Sequence, residues 1–77
     1  METQIIQLSI TKNEALVLFD FLTRFNKTQH SGIFEDQAEE KTLWVLETHL
    51  EKQLVEHFMP DYIDIIKKAR ASIRDEE

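Results

Sequence analysis

Seventy-seven residues, 42% hydrophobic and 31% charged, fit one globular domain with little room for a separate active-site cleft. There is no cysteine, so neither a disulfide nor a cysteine-ligated zinc can stabilise so small a fold. A net charge of -6 argues against generic nucleic-acid binding, which needs lysine and arginine in excess. Tight helix packing, self-association, or both must then hold the chain together.

No apolar run approaches the roughly 20 residues of a membrane span. The N-terminus has no basic stretch followed by a long apolar one, so no secretory signal is expected and the cytoplasm is the default location.

Gln4 to Ile10 alternates, with Ile6, Leu8 and Ile10 on one side and Gln7 and Ser9 on the other. That is the period of a half-buried β-strand. No later segment reads as a second strand, so this backbone either lies in water or pairs with the same segment of another copy. Pairing between subunits is the expectation, which makes Ile6, Leu8 and Ile10 self-association residues.

Thr11 and Glu14 stand in the Thr-x-x-Glu spacing of a capping box and open a first helix. Ala15, Leu18, Phe19, Leu22 and Phe25 share one face of it, with Phe21 at the edge. Leu16 and Val17 fall outside the centre of this arc. Asp20 and Arg24, four apart on the other side, are expected to pair. Asn26 to Gly32 holds the only glycine and reads as the connection.

The spacing predicts one long helix from Phe34 to Phe58, about 23 residues and roughly 35 Å. Asp36 and Glu39 offer a cap for its start. Leu43, Leu46, Leu50, Leu54 and Phe58 form its stripe, with Trp44 and Val55 on an adjoining strip. Pro60 ends it, and a third helix runs from about Asp61 to Arg74 with Tyr62, Ile65, Ile66, Ala69 and Ile73 inward. Asp75 to Glu77 reads as a frayed tail.

The expected fold class is therefore mainly α. It is a three-helix up-down-up bundle with a long central helix and a short N-terminal β-strand paired between subunits. The outer helices, about 16 and 14 residues, leave part of the central one uncovered. The N-terminal strand or a second subunit is expected to cover it, and Trp44 is a candidate either for that self-association or for the core.

Candidate chemistry is sparse. Glu35, Asp36, Glu39 and Glu40 form the densest charge cluster and suit a basic protein partner. Carboxylates at a helix N-terminus also answer the helix dipole. Lys67, Arg70 and Arg74 share a side of the third helix and could contact phosphate, but no aromatic side chains are interleaved with them. His30, His49 and His57 are not spaced as metal ligands. No nucleophile motif or glycine-rich phosphate loop is present, so no enzyme, metal or cofactor is expected.

The function expected is a small non-enzymatic protein-interaction or regulatory module, homodimeric, using the acidic cluster. A narrower alternative is an immunity- or antitoxin-like acidic inhibitor of a basic toxin. A second alternative is a nucleic-acid-associated accessory factor.

Overall fold

The computed structural model describes residues 3–30 and 32–75. Glu76 and Glu77, with which the expected frayed tail ends, lie outside the described residues. Three helices are packed together: α1 (Lys12–Phe25), α2 (Gln37–Gln53) and α3 (Tyr62–Arg74). A single 3-10 turn at Glu56–Phe58 precedes α3. There is no strand among the described residues, and residues 3–10 carry no regular structure.

The capping box of α1 forms as its spacing predicts. The Glu14 amide donates to the Thr11 hydroxyl at 3.1 Å, and the Thr11 amide donates to the Glu14 carboxylate at 2.8 Å. Asp36 caps α2, its carboxylate accepting from the Ala38 amide at 2.8 Å. Between the two helices, Gly32 takes φ +89°, a conformation that costs a side-chain-bearing residue free energy.

The long helix does not extend to Phe58. It ends at Gln53, because Leu54 turns to φ -106°, ψ 139° and drops its side chain into the core. Two contacts hold the break. The His57 imidazole Nε2 lies 3.2 Å from the Glu51 carbonyl, and Glu56 meets the Lys12 ammonium at 3.0 Å. Phe58, expected on the buried stripe, is left 79% exposed. Met59 is extended ahead of Pro60, as the proline ring requires.

With the break, α2 has 17 residues against 14 in α1 and 13 in α3. The surplus length that called for a second subunit largely disappears.

The central element is α1, not α2. Both α2 and α3 pack on it, while no Cα of α2 comes within 8 Å of one of α3. Thr23 and Asn26 donate to the Glu47 carboxylate on α2, at 3.4 and 2.7 Å. Asn13 meets Ser72 at 3.2 Å, whereas Asp20 meets both Tyr62 and Arg70. That order gives α3 the sense opposite to α1, where an up-down-up bundle would have them alike.

This explains Leu16. At about 100° per residue, Leu16 falls between Asp20, which faces α3, and Thr23, which faces α2. It is 3% exposed and belongs to the core with Phe19, Leu22, Leu50, Leu54, Ile66 and Ala69. An apolar arc drawn for one neighbour is too narrow for a helix with two.

Candidate functional site

Of the four acidic residues at the start of α2, two are committed to its backbone. Asp36 is the cap, and Glu39 accepts from the Glu35 amide at 2.9 Å. Glu35 is exposed and Glu40 half-buried, and neither belongs to an ion pair among the described residues. Beside them lies a shallow depression of about 460 Å³ lined by Ile33, Phe34, Ala38, Glu39, Thr42 and Leu43. Glu39 is the one carboxylate among these lining residues.

A second, deeper groove of about 730 Å³ opens at the other end of α2. Ile6, Leu8 and Ile10 form one wall, and Leu18, Leu46 and Leu50 another. Among the described residues, no backbone group of residues 3–10 makes a hydrogen bond. Both depressions use one flank of α2, since Thr42, Leu46, His49 and Gln53 recur at helical spacing.

Trp44 is not brought to this flank. It projects from the other side of α2, 44% exposed, with Val45 exposed next to it. The self-association candidates therefore divide, Ile6, Leu8 and Ile10 at the groove and Trp44 away from it.

The basic stripe of α3 is partly occupied. Arg70 donates to Asp20 at 2.7 Å, and Arg24 reaches the same carboxylate at 3.3 Å. Tyr62 also donates to Asp20, at 3.3 Å. Burial, then the neighbouring Asp20 charge, pushes the Tyr62 phenol up to about 12. Arg74 pairs with Asp75. Four side chains thus converge on a link between α1 and α3.

An apolar corner at the α2–α3 turn is not evident from the helical spacing of residues 34–58. Val55, Phe58, Met59 and Ile63 are all exposed there, and the Phe58 ring leans on His57 at 4.1 Å. Pro60 was the available signal, since a helix could not run through Met59 into it. Nothing in the sequence marks the earlier break at Leu54.

No group of three potential metal ligands occurs among the described residues. No helix there is long and apolar enough to cross a membrane. Against family models, curated proteins and solved structures, the chain finds no match.

Proposed function

We propose that this chain is a small non-enzymatic module that works as a homodimer and binds another protein. The supporting observation is the apolar surface it leaves uncovered. A monomer of this mass would expose about 4,900 Å², and this chain exposes 6646 Å². Its radius of gyration is 14.3 Å, against about 11.5 Å for a compact chain of this length. Among the described residues seven apolar ones are buried while twelve large ones are exposed, so the single chain does not complete its own core.

The partner surface we propose is the acidic start of α2. Glu39 lines the depression with Ile33, Phe34 and Leu43, and Glu35, Asp36 and Glu40 adjoin these residues in the chain. An apolar side chain flanked by lysine or arginine would complement it. Inhibition of a basic toxin, in the manner of an immunity protein or antitoxin, is the narrower reading, favoured by the net charge of -6. The nucleic-acid reading loses support because Asp20 already holds Arg70. A cytoplasmic location goes with the proposal; without cysteine, nothing in the fold calls for an oxidising compartment.

The test is affinity capture from the native host with the tagged full chain, repeated with Glu35→Lys plus Glu40→Lys. These two carboxylates make none of the capping hydrogen bonds of α2, so the reversal keeps the cap and costs the helix only the dipole interaction of Glu40, about 0.3–1 kcal/mol. Loss of a captured basic protein with unchanged circular dichroism is expected. Unchanged capture would remove the acidic patch from the reading.

A further inference from the structure

We infer that the half-open groove at the N-terminal segment is where two copies of this chain meet, their segments 6–10 pairing as antiparallel strands about a two-fold axis. The inference rests on the homodimer reading above and specifies its interface.

The first observation is the state of the segment in one chain. Ile6 and Leu8 are 79% and 84% exposed although both line the groove. They border a gap instead of closing it. The backbone around them, from residue 3 to residue 10, makes no hydrogen bond among the described residues. Such a row of free donors and acceptors is a template for another strand.

The second is that the segment pairs well with itself. Centred on Leu8, two antiparallel copies put Leu8 opposite Leu8 and Ile6 of each copy opposite Ile10 of the other. Gln7 then stands opposite Ser9. The apolar side closes over Leu18, Leu46 and Leu50, and the polar side faces water. A slip by one residue would turn the polar set inward, so the alternation excludes odd slips, and the Leu8-centred register is the one that keeps Lys12 and α1 out of the ladder while opposing Ile6 with Ile10.

Charge points the same way. Two chains of -6 repel each other, and residues 3–11 carry no charged side chain. This is a stretch along which two acidic copies can approach closely. Exposed edges are commonly guarded by lysine or proline, and this one has neither.

The experiment is light scattering or sedimentation of the full chain at tens of micromolar. We expect the mass of two 9.2 kDa chains. Ile6→Lys and Leu8→Lys should each reduce it to the mass of one chain. Helical circular dichroism should hold, because both side chains are already exposed in the single chain. Mixing Gln7→Cys with Ser9→Cys and oxidising should give a disulfide-linked pair; no native cysteine can confuse the band.

A one-chain mass for the unmodified protein would overturn the inference, as would a two-chain mass that survives Leu8→Lys. Absence of the mixed disulfide would overturn this pairing. The partner surface fails separately: Glu35→Lys plus Glu40→Lys should leave the two-chain mass intact whether or not capture is lost.

Discussion

The Asp20 carboxylate meets the Arg70 guanidinium at 2.7 Å, joining the middle of α1 to the second half of α3. Arg24 and the Tyr62 hydroxyl share the same carboxylate. The pair is only partly exposed, so it is stronger than a solvated surface bridge and weaker than a buried one. Asp20→Ala should cost about 1–2 kcal/mol in urea unfolding, because three donors lose their acceptor together. Stability within a few tenths of the parent would show that α3 is held by its apolar face alone.

Tyr62 supplies a spectroscopic reading of the same link. It is the only tyrosine, so its ultraviolet titration is unambiguous. The midpoint should lie near 12, where an unperturbed phenol titrates at about 10. With the folded value above the unfolded one, the folded chain retains the proton more tightly. The contribution is therefore complete below about pH 10 and lost as pH rises toward 12. Asp20→Asn should bring the midpoint part of the way back, leaving the share due to burial.

Leu16 decides which helix is central. In the structure Leu16→Ala and Leu50→Ala both leave cavities in the core, and each should cost about 2–5 kcal/mol. Phe58→Ala should change the stability of the single chain by no more than about 0.5 kcal/mol. A mild Leu16 variant beside a severe Phe58 variant would restore the unbroken long helix as hub.

Two local devices can be tested alone. Thr11→Ala removes half of the capping box and should cost about 1 kcal/mol, with a small loss of helical circular dichroism. Gly32→Ala should cost roughly 1–2 kcal/mol from backbone conformation. Among the described residues, no atom beyond the adjoining residues lies within 4 Å of the added carbon, so crowding contributes little.

The amino-acid order by itself determined the local features: the Thr11–Glu14 box, the Asp36 cap, the turn at Gly32, the start of α3 after Pro60, and the Asp20–Arg24 pair. Each depends on residues within a few positions of one another, where spacing and propensity act directly. It also marked the acidic cluster and the alternating segment. Tertiary structure decided which helix is central, where α2 stops and what becomes of Leu16 and Phe58. Those outcomes come from contacts between residues far apart in the chain, such as Lys12 with Glu56 and Asp20 with Arg70. A helical wheel gives the width of an apolar arc but not the number of neighbours that share it. Leu54 could leave the helix because the core held a place for it, and no pattern within α2 carries that information.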